Sequence, residues 1–423
     1  MKIMVAAWGN FPRPVCGVRY CGCIPFTACT LKEASLLLQK YFKIFYLSFI
    51  IFSFLIDSGG PLGIRNVSCA LLGLSCTSMF YRCNLLKFDT KLLFAYVLLL
   101  AVGVYSFTVS QINGIEVQNI IIWLVPFLFF PIFCYAFSSY DKKTIVLSVV
   151  TSGYLFSLSV ISVFVCLSVF GDLATAFFYN MKFPGWFYIR ADGYPQVYFQ
   201  ATLSLVVVCI YSYLNDYKKS AFLFASVLGL CLSRFGILTV FIFCLFSKLI
   251  SERNLARYLY RVFIIMTLVF LYFCFLMYLF LQSCIPMDEG GFAVRFGHLL
   301  SIIDTLKNAT LLFGMGPGST FYSMGVGLDT NNIEVSQLEI LRKYGLVGYF
   351  IINLAYYFII KYFYKAGKYK ELICMFAFYI VSYSNPVLLT FIFSLFIGLF
   401  FAAGDKSKFL PISIAPRPGG GSS

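Results

Sequence analysis

Charged residues are scarce in this chain. Only 12% of its 423 residues are Asp, Glu, Lys or Arg, against roughly 25% in a typical soluble domain. Hydrophobic residues make up 61% of the sequence, which is more apolar surface than a core of this size can hide from water. These two proportions exclude an ordinary water-soluble globular protein.

Histidine is scarcer still, because His298 is the only one in the chain. Protein zinc sites are built from several histidines, cysteines or carboxylates at short spacings. Cys16, Cys21 and Cys23 cluster before the first apolar run, but no histidine lies nearby and no second cysteine pair accompanies them, which disfavours zinc. Most of the 15 cysteines fall inside apolar stretches, where cysteine acts as a small hydrophobic residue. We therefore predict no metal site and no other cofactor.

The chain instead contains repeated apolar runs, many of them near the roughly 20 residues that a helix needs to cross the hydrocarbon layer. Twelve spans are predicted, near residues 42–56, 62–80, 92–109, 117–137, 145–170, 197–214, 221–232, 237–249, 262–281, 346–364, 372–383 and 388–401. The expected fold is all-α, a polytopic helical membrane protein with about 12 transmembrane helices in a single domain over residues 32–409. Residues 1–31 are expected to be an irregular N-terminal segment, and 410–423 a tail or linker.

The distribution of Lys and Arg predicts the orientation. The formal net charge of +15 would suggest a nucleic-acid partner in a soluble protein. In a membrane protein it reflects the excess of basic residues on cytoplasmic loops, so no nucleic-acid partner is predicted. With both termini cytoplasmic, basic residues alternate as expected along the twelve spans. Two long loops, near 171–196 and 283–345, then lie on the periplasmic face of a bacterial inner membrane.

Basic residues on the predicted inner side are mostly Lys, whereas the outer ones include five Arg: Arg65, Arg190, Arg234, Arg295 and Arg342. The planar fork of Arg grips phosphate through two hydrogen bonds and keeps its charge. This indicates an outward-facing phosphate or diphosphate site. Alternatively, each Arg snorkels or pairs with a carboxylate. Arg234 is the leading candidate, because it sits in a short bend at the membrane boundary, where a charge needs a partner or a ligand.

Aromatic residues are dense in the first long loop, between residues 174 and 194, around Arg190. Aromatic faces stack on sugar rings, so Trp186 and Tyr194 are candidates for binding a glycan or shaping the loop. The alternative is an aromatic belt at the membrane interface.

The second long loop offers a candidate for proton transfer. Arg295 and His298 lie three residues apart on a helix predicted over 292–308, which places them on one face. Histidine is the residue type best suited to transfer protons near neutrality. The alternative is that His298 packs against or caps this helix.

A glycine run at 314–318 follows in the same loop. It lacks the Lys-Ser/Thr of a phosphate-binding loop, so no nucleotide site is predicted. Gly316 and Gly318 are instead expected to form a tight turn that brings backbone close to a ligand or a helix.

Glu334 precedes the tenth predicted span. Asn331 and Glu334 fit a helix-capping box, in which Glu334 would be structural. The functional alternative makes Glu334 a carboxylate base that faces the outer arginines.

The order of these parts resembles that of the Wzy-type O-antigen polymerases, which are related to the O-antigen ligases. The resemblance rests on Ser233-Arg234 at a span junction, the Gly-x-Gly-x-Gly run, and a polar residue, Glu334, eleven positions before Gly345. Ligases commonly carry a His-Asn pair where this chain has Glu334 and Val335, which favours a polymerase. The family's Ser-Arg-Gly is interrupted here by Phe235.

The resemblance implies a glycosyltransferase that needs neither a metal nor a nucleotide and works at the periplasmic face. The growing glycan would move from undecaprenyl diphosphate onto a new lipid-linked repeat unit. Arg190, Arg234, Arg295 and Arg342 would bind the diphosphate, and Glu334 or His298 would act on the acceptor hydroxyl.

The implied partners are the undecaprenyl-diphosphate-linked oligosaccharide, membrane lipid and a chain-length regulator protein. An O-antigen ligase, a lipid-linked oligosaccharide flippase and a structural scaffold remain alternatives. A flippase places its binding charges near the bilayer midplane, whereas the predicted spans here are nearly free of charge.

Overall fold

A computed structural model of the chain describes most of its length. The described residues are 26–57, 62–81, 89–182, 185–190, 192–199, 201–281, 291–306, 309–325, 327–330, 333, 336–383, 388 and 390–403. They belong to two units, residues 1–43 and 44–423. In the first unit the described residues, 26–43, are helical, and the packing described below is that of the second unit.

The chain is mostly helical. Its first helices are α1 (Phe26–Ile56), α2 (Ile64–Tyr81), α3 (Thr90–Ile112), α4 (Val117–Phe137), α5 (Lys142–Phe170) and α6 (Asp172–Asn180). The hairpin of β1 (Gly185–Ile189) and β2 (Pro195–Phe199) precedes α7 (Ser204–Leu214), α8 (Lys218–Leu230), α9 (Arg234–Leu249), α10 (Glu252–Leu281), α11 (Gly291–Thr305) and α12 (Ala309–Phe313). The last elements are β3 (Phe321–Ser323), β4 (Leu328–Thr330), α13 (Ser336–Lys365), α14 (Tyr369–Val381) and α15 (Phe391–Ala402).

Five stretches within the described residues are long and apolar enough to cross a membrane: Ser35–Ile56, Thr90–Ile112, Val117–Phe137, Lys142–Phe170 and Ser336–Lys365. Each exceeds the roughly 20 residues that a span requires. The prediction of a helical, multi-pass membrane protein is therefore confirmed. The number of twelve spans, the periplasmic side of the long loops and the position of the termini stay predictions.

The sixth predicted span, near 197–214, is wrong at its start. Its first residues complete β2, which pairs antiparallel with β1, and the helix begins only at Ser204. An apolar run does not by itself distinguish a strand from a buried helix. Here alternate residues of β2, Val197 and Phe199, are fully buried. The helix predicted over 292–308 also ends sooner, at Thr305.

Both long loops contain regular structure. The first contains α6 and the β1–β2 hairpin, and the second contains α11, α12, the β3–β4 hairpin and the first turns of α13. These elements satisfy backbone groups that an irregular loop would leave to water.

Aspartates cap two of the long helices. Asp89 accepts from the Lys91 amide at the start of α3, at 2.9 Å. Asp141 accepts from both the amide and the hydroxyl of Thr144 at the start of α5, at 3.2 and 2.7 Å. A side-chain acceptor at this position satisfies amides that have no partner inside the helix.

The helices α7, α14 and α15 are buried along nearly their whole length, as expected of helices that are apolar all round. Helix α13 packs along α3, and α15 packs along α4. At the second contact, the Ser394 hydroxyl donates to the carbonyl of Pro126 at 2.6 Å. The predicted site residues are carried on the elements that flank this core.

Candidate functional site

The tip of the β1–β2 hairpin presents Arg190. The Arg190 amide donates to the Tyr194 carbonyl at 3.0 Å, and the turn is closed by Gly193, whose φ of +77° is the left-handed conformation that glycine adopts without strain. The Arg190 guanidinium lies 3.6 Å from the carboxylate of Asp192, and both side chains are exposed, by 41% and 58%. An exposed ion pair of this length contributes little to stability. Arg190 is therefore accessible to a ligand.

Tyr194 ties this hairpin to the end of α8. Its hydroxyl donates to the carbonyl of Leu230 at 2.9 Å, and its ring lies edge-on to Phe164 at 5.7 Å. Burial, and then the nearby Cys231, raise the pKa of the Tyr194 phenol, so the hydroxyl stays a neutral donor. Leu230 lies four residues before Arg234, so the contact joins the chain segments that carry Arg190 and Arg234.

Arg234 opens α9 directly after a tight turn. Leu232 adopts a φ of +54° within that turn, and the Ser233 amide donates to the Leu228 carbonyl at 3.1 Å. The Arg234 side chain is exposed. Among the described residues, no carboxylate forms an ion pair with it. Its exposed guanidinium is therefore open to the surroundings, and a role for Arg234 in binding a phosphate or diphosphate stays a prediction.

Gly236 follows Phe235, the residue that interrupts the Ser-Arg-Gly pattern of the family. A methyl group at Gly236 would lie 2.6 Å from the Ser233 hydroxyl and 3.2 Å from the Leu203 side chain. The glycine therefore allows α9 to approach the start of α7 closely. Phe235 points outward with 38% of its surface exposed, so its insertion does not disturb this contact.

His298 is buried between α11 and the β3–β4 hairpin. Its Nδ1 atom lies 2.7 Å from the Ser323 hydroxyl, and 7% of the residue is exposed. The same interface holds Gly297, where a methyl group would lie 2.4 Å from the Gly325 backbone. The packing alternative for His298 therefore has direct support. Arg295 lies one turn earlier on α11, and the structure describes its backbone but not its side chain.

Arg342 is fully buried within a network of charged and polar groups. Its Nε and Nη2 atoms donate to the two Glu339 carboxylate oxygens at 3.0 and 2.9 Å, and Nη1 donates to the Ser319 hydroxyl at 2.9 Å. Its guanidinium also stacks over Phe321, 4.7 Å from the ring centroid. In this geometry Glu339 occupies the edge of the guanidinium that a diphosphate would use.

Phe321 links Arg342 to His298. The His298 ring lies 6.5 Å from the Phe321 ring, which carries the Arg342 guanidinium on its face. Two residues that the sequence singled out 44 positions apart are thus brought to one cluster.

The glycine run forms the tight turn that was expected, and it approaches a helix. Gly316 has a φ of +88°, and a methyl group there would lie 2.4 Å from the Ser110 hydroxyl. Gly318 has a φ of +85° and packs against Ile115 and Asn119. The turn is therefore held against the end of α3 and the start of α4.

Backbone hydrogen bonds join the same turn to a kink in α13. The Met315 and Gly316 amides donate to the carbonyls of Arg342 and Lys343, at 2.8 and 3.0 Å. The kink itself is at Gly345, whose φ is +63° and where a methyl group would lie 2.3 Å from a loop carbonyl. The glycines of this region serve close backbone packing between the loop and α13.

Several buried polar residues of α13 were missed by the sequence reasoning. Lys343 is fully buried, lies 2.5 Å from Glu339, and places its ammonium 2.8 Å from the centroid of the Trp123 ring. Gln337 is also fully buried. The one signal in the sequence was the spacing of Glu339, Arg342 and Lys343 by three and four residues, which places oppositely charged side chains together on a helix.

Two other predicted site residues have less structural detail. Glu334 lies outside the described residues, and the first residue of α13, Ser336, donates its amide to the Ser382 carbonyl at 3.0 Å. For Trp186 the structure describes the backbone, which pairs with Tyr198 in the hairpin.

The chain matches no protein-family model. It is similar to an O-antigen polymerase from Shigella flexneri, with 28% identity over 365 residues that cover 82% of this chain and 90% of the relative. The match spans most of both proteins. The resemblance of this chain to the Wzy-type O-antigen polymerases, predicted from its motifs, is thereby confirmed.

Proposed function

We propose that this protein polymerises O-antigen repeat units that are linked to undecaprenyl diphosphate, at the periplasmic face of the bacterial inner membrane. The observation that carries the proposal is the similarity to an O-antigen polymerase over 82% of the chain. The apolar helices support it, because a lipid-linked substrate must be met within the bilayer. Twelve spans with both termini cytoplasmic would place the two long loops in the periplasm.

The reaction is a glycosyl transfer between two lipid-linked glycans. A sugar hydroxyl of the newly arrived repeat unit attacks the anomeric carbon of the growing chain. A glycosidic C–O bond forms, and the bond between that carbon and the diphosphate oxygen breaks. The hydroxyl proton passes to a base, and undecaprenyl diphosphate leaves with the electron pair. This transfer needs no nucleotide, and we propose that it needs no metal.

Arg234 and Arg190 would stabilise the departing diphosphate. Negative charge accumulates on that group in the transition state, and donors already in position can lower the barrier by several kcal/mol. The exposed guanidinium of Arg234 at the start of α9 suits this role, and Tyr194 fastens the Arg190 hairpin beside the same helix junction. Arg295 is proposed to join them.

We propose that Arg342 supports diphosphate binding by holding the loop in place, without contacting the diphosphate itself. Its guanidinium is held by Glu339 and Ser319, and its backbone carbonyl fixes the glycine turn. Replacing the side chain would remove the hydrogen bond to Ser319 and the stacking on Phe321, and we expect this to displace the loop that carries Arg295, His298 and Glu334.

The acceptor hydroxyl would lose its proton to Glu334 or His298. A carboxylate or imidazole in hydrogen-bond reach typically contributes about 10² to 10⁴ in rate. The contact of His298 with Ser323 supports a structural role for the imidazole, which favours Glu334 as the base. A chain-length regulator is proposed as a protein partner.

The test is the lipopolysaccharide banding of a strain that lacks this protein. We expect a core capped by one repeat unit, with the full ladder restored by the parent gene. A complete absence of repeat units would point instead to an O-antigen ligase or a flippase. An unchanged ladder would remove the protein from this reaction altogether.

A further inference from the structure

Gln337, in the first turn of α13, is a buried amide without a hydrogen-bond partner. None of its surface is exposed, and neither Oε1 nor Nε2 meets a partner among the described residues. Buried polar groups almost always have a partner, in the protein, in ordered water or in a ligand, because an unpaired one destabilises the fold. Gln337 therefore calls for a partner that is not part of the chain as described.

The hydroxyl group beside this amide belongs to a cluster of neutral polar side chains around Tyr379. Gln337 lies beside the Tyr379 hydroxyl without forming an aligned hydrogen bond with it. That hydroxyl donates to the Asn353 Oδ1 atom at 2.8 Å and lies 3.2 Å from the Thr267 hydroxyl. The Tyr383 hydroxyl donates to the Tyr379 hydroxyl at 3.4 Å, and Tyr383 is half-buried. Tyr383 is the member of this set that reaches the surface.

The chemistry of this cluster matches a sugar better than a phosphate. An amide and a phenol each donate and accept one or more hydrogen bonds, as a sugar hydroxyl does, whereas a diphosphate is held by cations. The Tyr379 and Tyr383 rings meet edge to face at 5.6 Å. Tyr379 is buried, whereas the half-buried Tyr383 ring is the one that could lie against a sugar ring. Gln337 also follows Glu334, the proposed base, by three residues in the chain.

We propose that Gln337, Tyr379 and Tyr383 form a binding site for sugar hydroxyl groups of the lipid-linked repeat unit. This assignment rests on the proposed function, and it adds the residues that hold the glycan near the base. The sugar would reach Gln337 past the half-buried Tyr383 ring, and its hydroxyl would both donate to Oε1 and accept from Nε2.

The test is Gln337→Met, which keeps the length of the side chain and removes its hydrogen-bonding atoms. Because the amide has no partner in the free protein, we expect the Tm of the purified variant to equal or exceed that of the parent. We expect the KM for lipid-linked repeat units, extracted from a strain lacking the polymerase, to rise about tenfold, with kcat changed less than about twofold. A tenfold rise corresponds to about 1.4 kcal/mol of lost binding.

Asn353→Leu is the matched control, since both polar atoms of its side-chain amide have a partner. Its Nδ2 atom donates to the Tyr349 carbonyl at 2.9 Å, and its Oδ1 atom accepts from Tyr379. We expect this variant to have a Tm several degrees lower. A Gln337→Met protein that also melts earlier would mean that a structural water alone satisfies the amide, and this would overturn the proposal.

An unchanged KM in Gln337→Met would also overturn the sugar site, provided that the parent extends the lipid-linked units. A parent that fails to extend them would instead refute the proposed polymerase function. In that case the sugar site is tested by binding alone, as the increase in Tm that the extracted lipid-linked repeat units cause. We expect a shift in the parent that Gln337→Met loses, and equal shifts would overturn the site.

Discussion

The guanidinium of Arg342 and the carboxylate of Glu339 form two parallel hydrogen bonds, of 3.0 and 2.9 Å, and both side chains are fully buried. Lys343 lies 2.5 Å from the same carboxylate. The Glu339 carboxylate is thus the counter-ion of both Arg342 and Lys343 within α13. Taking charges out of water is costly, and only their mutual attraction and further hydrogen bonds offset that cost.

Glu339→Gln is therefore expected to destabilise the protein. The neutral amide leaves two buried cations without a counter-charge, and breaking a buried pair typically costs about 3 to 5 kcal/mol. The measurement is the Tm of the purified variant in detergent. We also expect a strong fall in the abundance of this variant in the membrane. Glu116→Gln is the control, because Glu116 is exposed and makes no side-chain capping bond. Equal melting of both variants would contradict the buried network.

Gly316→Ala is expected to detach the glycine turn from α3. The substitution combines the left-handed φ of +88° with a Cβ only 2.4 Å from the Ser110 hydroxyl and 2.8 Å from its Cα. Gly114→Ala has a similar φ, +71°, but no atom within 4 Å of the new Cβ. Both changes should destabilise the fold by about 1 to 2 kcal/mol, because a residue with a Cβ is strained in the left-handed conformation. Gly316→Ala alone should lose much more in thermal stability and polymer formation.

Arg234→Lys is expected to impair polymer formation nearly as much as Arg234→Ala. A point charge on a flexible stem cannot replace the two parallel hydrogen bonds that a guanidinium makes with a diphosphate. The ladder length at matched expression is the measurement. Arg253→Lys, at another exposed arginine, should polymerise like the parent. A near-normal ladder from Arg234→Lys would remove the diphosphate role from Arg234.

Glu334→Gln separates capping from catalysis. Gln can reach back to the helix N-terminus as Glu does, so a purely capping residue would keep its activity. A base depends on the carboxylate, and its contribution of about 10² to 10⁴ in rate should vanish. We expect the loss of activity, with normal insertion into the membrane.

Asp329→Asn is the control for this change, because Asp329 lies exposed on β4. Glu339 would be a poor one, since its carboxylate holds Arg342 and Lys343. If Glu334→Gln and Asp329→Asn both polymerise like the parent, Glu334 is structural. His298 then becomes the leading candidate for handling the proton.

Polymerisation by the purified protein is expected to survive EDTA and to need no nucleotide. Within the described ranges, no three His, Cys, Asp or Glu side chains converge on a point that could hold a metal ion. Protein zinc sites are built from at least such a set. The rate before and after chelation is the measurement, and a loss restored by a divalent ion would contradict the expectation.

The sequence predicted the long helices well. For α4 the predicted span and the observed helix, Val117–Phe137, coincide, because a long run of apolar residues with helix-compatible length has one solution in a membrane. The β1–β2 hairpin was not predicted. It lies in two five-residue segments, which are too short for their alternation to stand out against an apolar background.

The buried charges of α13 were unpredictable for a related reason. Glu339, Arg342 and Lys343 have the spacing of a solvated helix face, and only the packing of the glycine turn, Ser319 and Trp123 against them turns that face inward. By contrast, the exposed Arg234 at a helix junction was predictable, because its position at the end of an apolar run is visible in the sequence.

The hydrogen bonds between the glycine turn, the end of α3 and the start of α13 limit how this loop can be exchanged among related proteins. The Asn113 side-chain amide and the Ser110 hydroxyl donate to the backbone carbonyls of Met315 and Pro317, at 2.9 and 3.0 Å. The Met315 backbone amide in turn donates to the Arg342 carbonyl. A chimaera that takes the loop from a relative would need the end of α3 and the first turns of α13 from the same parent. These three segments, far apart in the chain, are expected to diverge as one block.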